Sequence, residues 1–354
     1  MAKSGVSGYA AISARVRAMY SSLLSPQDFA RLSNAPDFPT LITQLKQTAY
    51  GPYLENLKDK DLTPQKVDSA IKGRLADSYY SVIHMAPEHA RSLLKQLYRY
   101  FEVQNLKAVL RAIITDPSWE RVQDVLFPMG SMTVLPAQAM VESGSVGAAI
   151  ELLQGTPYYE TLSFAMKRYS AEQNLFPLEV ALDLNYWRQL WQEAKKLQGQ
   201  DREQASRIIG SLMDVNNLMW VIRYKIYHGL SEEEVINYTL PFGFRVRDED
   251  VRAIAAGADL SSVVGRVFPG IPDLNALLDD PRAGLPKLEI ELKRRLMQQC
   301  LAAFTGNPFH IGVPLAFLVL SELEIEDLTV LIEAKSSQMP EEEFLPYILR
   351  QIPA

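Results

Sequence analysis

The residues that could do chemistry are few: four histidines, one cysteine and a scatter of carboxylates in 354 residues. His84 and His89 are five apart with Pro87 between them, a poor match to one helical face, and His228 and His310 stand alone. There is no His-Glu-x-x-His pair and no paired cysteine, so no metal site is expected. A phosphate-binding loop needs a glycine-rich turn ending in Lys-Ser or Lys-Thr. The nearest glycine pair, Gly144-Ser145-Val146-Gly147, lacks a preceding strand and a third glycine, and reads as a turn. Glu232-Glu233-Glu234 and Glu341-Glu342-Glu343 are helix-start charge, where the dipole favours it, and not an acid–base dyad. Cys300 lies in an apolar helical stretch and is expected to be a buried, inert thiol. A single cysteine excludes an internal disulfide and fits a reducing compartment. The expectation is therefore a chain with no catalytic residue, no cofactor, no metal and no nucleotide.

What does recur is a polar pattern on helices. Asp214-Val215-Asn216-Asn217-Leu218 is an acid, an apolar residue, a spacer, an Asn and a Leu, followed by Val221 and Ile222 on the same face. The pattern stands also at Glu102-Val103-Gln104-Asn105-Leu106, followed by Val109 and Leu110, and at Glu324-Ile325-Glu326-Asp327-Leu328, followed by Leu331 and Ile332. Asn217 follows Asn105 by 112 residues and Asp327 follows Asn217 by 110. Three matches at nearly one period mark an internal repeat. Asn and Asp accept readily from free backbone amides, so Asn105, Asn217 and Asp327 are expected to cap helices where two helices meet at a bend.

A second set of matches shares the period. Leu24-Ser25-Pro26-Gln27, Leu135-Pro136-Ala137-Gln138 and Val246-Arg247-Asp248-Glu249 are 111 apart, as are Leu41-Ile42, Leu152-Leu153 and Val263-Val264. Each is followed by Pro/Gly punctuation near an aromatic: Tyr50-Gly51-Pro52-Tyr53, Gly155-Thr156-Pro157-Tyr158 and Phe268-Pro269-Gly270. Phe127-Pro128-Met129-Gly130 and Leu240-Pro241-Phe242-Gly243 read as matching turns. The division expected is three similar helical domains, 1–125, 126–237 and 238–354, each of a size that can hold a core.

The elements that carry these residues read as helices almost throughout. The opening, Met1 to Gly8, is Gly/Ser-rich and expected to fray. Helices are expected at Ala10 to Leu24, after Ser25-Pro26, at Leu41 to Leu45, after Thr63-Pro64, from Pro87 to about Asp116, at Trp119 to Leu126, and from Thr156 to Leu197 with a break near Asn174 and Pro177. Further helices are Asp201 to Tyr227, Leu288 to Phe304, Pro308 to Lys335 and one after Pro340, whereas Asp279 to Pro286 reads as a loop. Lys66, Lys72 and Arg74 are taken as a solvated helix face. Met132 to Leu135 and Phe244 to Val246 are the only strand candidates, so the fold class is all-α. The composition is 47% hydrophobic and 22% charged, ordinary for a soluble globular protein, and the net charge of −6 argues against a nucleic-acid surface. No signal peptide and no apolar run long enough to span a membrane is visible.

The repeated acid-apolar-x-Asn-Leu helices resemble those of the C subunits of A/V-type ATP synthases, the counterparts of the d subunit in eukaryotic V-ATPases. Ala14-Arg15-Val16-Arg17 with Leu23-Leu24 is similar to that family's first helix. Phe101 to Arg111, Met213 to Lys225 and Pro308 to Lys335 are similar to its three repeat helices. The third copy departs from the others, with Asp327 for Asn and Glu333 for Arg. The resemblance implies a funnel of three helical domains about a pseudo-threefold axis, without an active site. It implies a place on the cytoplasmic face of the membrane, where the chain would link the central stalk to the cytoplasmic loops of the proteolipid ring and transmit torque for proton or sodium transport. Membrane contact would come only through partners. A helical adaptor or solenoid scaffold remains the alternative on the residues alone, although 111 is far longer than the common helical repeats. An enzyme with an unrecognised site would need a perturbed titratable cluster in a deep pocket.

Overall fold

The computed structural model describes residues 4–55, 57, 62–115 and 118–350. Its helices are α1 (Ser4–Tyr20), α2 (Pro26–Ser33), α3 (Phe38–Leu45), α4 (Gly51–Leu54), α5 (Pro64–Met85), α6 (Glu88–Thr115) and α7 (Trp119–Val122). There follow α8 (Ala137–Glu142), α9 (Val146–Glu151), α10 (Tyr159–Glu172), α11 (Phe176–Lys196), α12 (Gly199–Ile226) and α13 (Glu232–Asn237). The remainder are α14 (Asp248–Ala255), α15 (Leu260–Val267), α16 (Leu274–Asp279), α17 (Pro281–Ala302), α18 (Gly312–Ser336) and α19 (Glu341–Phe344). No strand forms among the described residues, and no helix among them is long and apolar enough to cross a membrane.

Local chemistry explains many helix starts. Ser25 and Asp28 form a capping box ahead of Pro26 at the first helical position, and Ser231 and Glu234 form another. Asp37, Thr63 and Asp259 each accept a first-turn amide. The break between α10 and α11 is made by Gln173 at φ 53° and by Asn174, whose Oδ1 accepts from the Phe176 amide at 3.0 Å.

The six longest helices determine the architecture. They have 22, 28, 21, 28, 22 and 25 residues (α5, α6, α11, α12, α17, α18). Each packs against the next in that order, and α18 returns to α5. The short helices pack outside this cycle: α8 and α9 lie on α6, α13 and α14 on α12, and α1 and α3 on α18. Helix α18 is apolar on nearly all sides, with Val313 through Leu320 at most 3% exposed, which is why its sequence lacks a polar face.

Several expectations need correction. The segment 279–286 is not a loop: Asp279 ends α16, Asp280 is the one residue between helices, and α17 begins at Pro281. Asp280 caps the first turn by accepting from the Arg282 amide at 3.2 Å, and Pro281 takes a position where its missing N–H costs nothing. Pro286 then sits in the second turn and removes only the bond to the Arg282 carbonyl. Residues from Ser4 onward are already in α1, so the opening frays less than its composition suggested; residues 1–3 and the expected helix end at Asp116 lie outside the described residues. Arg74 is not on a solvated face: it is 9% exposed and reaches into the core between α5 and α18. The two strand candidates form no ladder, because no neighbouring strand offers them partners. The amides of Phe244, Arg245 and Val246 go to Asp214 instead, and that of Val134 to Glu102.

Candidate functional site

Asn105, Asn217 and Asp327 lie well inside α6, α12 and α18, so they are not helix caps. Each side chain reaches off its helix to grip a backbone segment 22 or 23 residues further on. Asn105 Oδ1 accepts from the Phe127 N–H at 2.7 Å while its Nδ2 donates to the Phe127 carbonyl at 2.9 Å. Asn217 holds Leu240 in the same way, at 2.8 and 2.6 Å. Asp327 accepts from two amides, Leu349 at 2.6 Å and Arg350 at 3.3 Å. The difference has a chemical cause. Pro128 and Pro241 follow the first two gripped residues and have no N–H, so an amide side chain pairs with the one N–H and one C=O available. Arg350 does have an N–H, and a carboxylate, which is acceptor-only, suits two donors. Asn105, Asn217 and Asp327 are all buried, as are Leu106, Leu218 and Leu328 beside them.

The acid one turn earlier grips a second segment. Glu102 Oε1 accepts from the Val134 N–H at 2.5 Å and from Thr133 Oγ1 at 2.9 Å, and its Oε2 accepts from the Tyr158 hydroxyl at 2.6 Å. Asp214 takes three amides, Phe244, Arg245 and Val246, at 2.9, 2.7 and 3.0 Å. Glu324 takes the Leu24 amide at 2.8 Å, the Tyr50 hydroxyl at 2.8 Å, Arg74 at 3.1 Å and Arg350 at 2.8 Å. Tyr50 and Tyr158 serve the two glutamates. Phe268, 110 residues beyond Tyr158, has no hydroxyl, and there the acid is the shorter aspartate drawn tight onto backbone. That approach requires Gly243, since a Cβ there would overlap Asp214 Oδ1. Burial pushes the Asp214 carboxyl up to about 6 against the pull of its three amides, and Asp327 up to about 7 against the Leu349 and Arg350 amides. Burial also raises Glu324, with Arg350 and Arg74 opposing it.

Among five of the long helices, α6, α11, α12, α17 and α18, is a cavity of about 130 Å³. One side carries a chain of ion pairs. Arg223 meets Glu289 at 2.5 Å, Glu289 meets Lys293 at 3.0 Å, and Lys293 meets Glu326 at 2.9 Å. Glu322 faces the same space from α18 and accepts from the Tyr79 hydroxyl of α5. Burial pushes its carboxyl up to about 8; the Tyr79 hydrogen bond works the other way, the nearby Glu326 charge adds to the rise and the Lys293 charge opposes it.

The histidines have structural partners. His89 pairs with Asp201 at 3.0 Å, His310 accepts from the Gly312 amide at 3.0 Å, His84 lies against Tyr80 and His228 stacks on Phe176. Cys300 is buried, which pushes its thiol up. The polar cavity was not anticipated from the sequence, and neither were Arg74, Arg350 and the two tyrosines as partners of an acid. One signal was available: Glu322, Glu324 and Glu326 fall within five positions of the most apolar helix, where carboxylates need a reason.

Comparison with known proteins adds the following. A family model described as ATP synthase (C/AC39) subunit matches residues 12–347. The A-type ATP synthase C subunit of Methanocaldococcus jannaschii is 24% identical over 340 residues, covering 95% of this chain and 84% of the relative. That of Pyrococcus horikoshii is 26% identical over 336 residues, covering 93% and 87%. That of Archaeoglobus fulgidus is 24% identical over 343 residues, covering 96% of each.

Proposed function

The chain belongs to the ATP synthase (C/AC39) subunit family, and on that premise we propose that it is a non-catalytic coupler in a rotary ATPase. It joins the central stalk to the cytoplasmic loops of the membrane proteolipid ring and carries torque between ATP turnover and proton or sodium flow. It has no active site of its own and is a peripheral subunit on the cytoplasmic face of the membrane. Its three units, 1–125, 126–237 and 238–354, close about a pseudo-threefold axis, and the motif helix of each completes the unit that follows it.

The observation that carries this reading is the bond from Glu324 to the Leu24 amide, across 300 residues. Glu102 and Asp214 make the corresponding bonds to segments only about 30 residues ahead. Taken as one repeated joint, the third instance returns the chain to its own beginning. A closed body of three like parts with a polar cavity suits a socket under rotational load better than an open solenoid, whose ends would splay. Both partner contacts must survive that load, so at least one reaches standard size, roughly 800 Å² per partner. The net charge of −6 favours basic partner surfaces, through contacts that weaken with salt.

The test is reconstitution. Purified protein is mixed separately with the stalk subunits and with the detergent-solubilised ring of its own complex, and each mixture is run by size exclusion in low and high salt. Comigration with both in low salt is expected. Comigration with neither would leave an adaptor outside the rotor as the better reading.

A further inference from the structure

The charges around the cavity are paired among themselves with one exception. Arg223, Glu289, Lys293 and Glu326 form a neutral chain of alternating sign. Glu322 belongs to none of the ion pairs among the described residues, although it lines the same cavity beside them. Among the described residues its hydrogen-bond donor is the Tyr79 hydroxyl, a neutral group. The space in front of it has room for a few waters or for the head of one long side chain. We propose that this cavity receives one cationic side chain, a lysine or arginine carried by the polypeptide that occupies the centre of the closed chain, and that Glu322 is the carboxylate that pairs with it. The proposal rests on the coupler reading above and names the chemistry of the contact.

The other groups facing Glu322 leave that role to it. Tyr79 of α5 and Tyr186 of α11 are held in the phenol form by burial, and so is Tyr100 of α6. Cys300 of α17 is likewise kept as a thiol by burial. Lys293 and Glu289 of α17, Arg223 of α12 and Glu326 of α18 already have partners of opposite charge. Those four charges already balance one another, so a further cation beside them has no partner but Glu322. With its carboxyl pushed up to about 8, Glu322 is largely protonated at pH 7 when the cavity is empty. An entering ammonium or guanidinium favours the ionised form, so the carboxyl O–H bond breaks and the proton leaves to the buffer as the ion pair forms. Neutral acid plus cation becomes a carboxylate–cation pair plus one free proton, and charge is conserved. The other raised carboxyls do not line the cavity: Asp214, Asp327 and Glu324 are gripped by backbone amides, and Asp183 is paired with Lys107.

The experiment is calorimetric titration of the protein with the purified central-stalk subunits of its own complex, in buffers of different ionisation enthalpy. At pH 7 the wild type is expected to release close to one proton per complex, falling toward none as the pH is raised past about 8. Glu322→Gln, an isostere of the protonated acid, should bind without that release, while Glu322→Asp should keep most of it. Melting curves of the free proteins at pH 6 check that both variants fold. Equal proton release by wild type and Glu322→Gln, or none by either, would overturn the assignment of Glu322 and leave the coupler reading intact. Absence of any association with the stalk subunits would overturn both.

Discussion

Whether Asn or Asp stands at the gripping position follows from the residue after the one it grips, and that makes a reciprocal test possible. Asn217→Asp sets a second carboxylate oxygen against the Leu240 carbonyl, an acceptor facing an acceptor in a buried site. Asp327→Asn sets an NH₂ group against the Arg350 N–H, a donor facing a donor. Each should cost about 1–3 kcal/mol, the range for leaving a buried polar group unsatisfied, read as a lowered midpoint in chemical denaturation. A simple helix cap would tolerate the exchange, because Asn and Asp cap about equally well. If both swaps proved neutral, the donor–acceptor pairing at these two joints would be wrong. At this scale the sequence was half legible. The spacing of Asn105, Asn217 and Asp327 was visible, and so were Pro128 and Pro241. Their connection was not, because a side chain's partner 22 residues away leaves no local trace.

Among elements, the α16–α17 corner shows packing overruling composition. Asp279 to Pro286 carries two prolines and a glycine and reads as a loop, yet from Pro281 it is helix. Gly284 makes this possible: a Cβ there would run into the Leu277 carbonyl of α16. Gly284→Ala therefore sets two effects against each other. Helix propensity favours alanine by about 1 kcal/mol, while overpacking costs about 1–3 kcal/mol. The obstacle is backbone, which yields little, so net destabilisation is expected, seen as a lower melting temperature. A stabilised variant would show that α16 can move aside. The helix starts after Ser25 and Thr63 were legible in advance because capping is a contact within one turn. The α16–α17 approach, by contrast, is set by how two helices stack.

For the whole molecule, the joint at Glu324 differs from the other two. Glu102 and Asp214 bind nearby chain, and among the described residues no arginine side chain is a hydrogen-bond partner of either; Glu324 joins segments 300 residues apart and holds two arginines. Arg350 also donates to the Leu24 carbonyl, so it ties α18 to the segment ahead of α2 on both sides of the joint. Arg350→Ala should cost about 3–5 kcal/mol, since it leaves a buried carboxylate with only one of its two cations. Tyr158→Phe at the Glu102 joint removes one neutral hydrogen bond and should cost about 1–3 kcal/mol. The ranking is the prediction, measured as the difference in unfolding free energy. Equal losses would mean that Glu324 carries no more of the fold than Glu102 does.

What the sequence by itself determined is the helical class, helix starts such as those after Ser25 and Thr63, and the family. Those follow from periodicities of three to four residues and from a pattern recurring about every 111, all written along the chain. What only the tertiary structure decided is where the polar residues of those helices go. Arg74 looks like a surface cation until α18 brings Glu324 beside it. Glu322 looks like one acid among many until the packed helices enclose it and leave it, among the described residues of the cavity wall, the charged side chain outside the chain of ion pairs. Burial and pairing belong to the assembled helices, because desolvation depends on what stands within a few ångströms in space, and α5 and α18 lie more than two hundred residues apart along the chain.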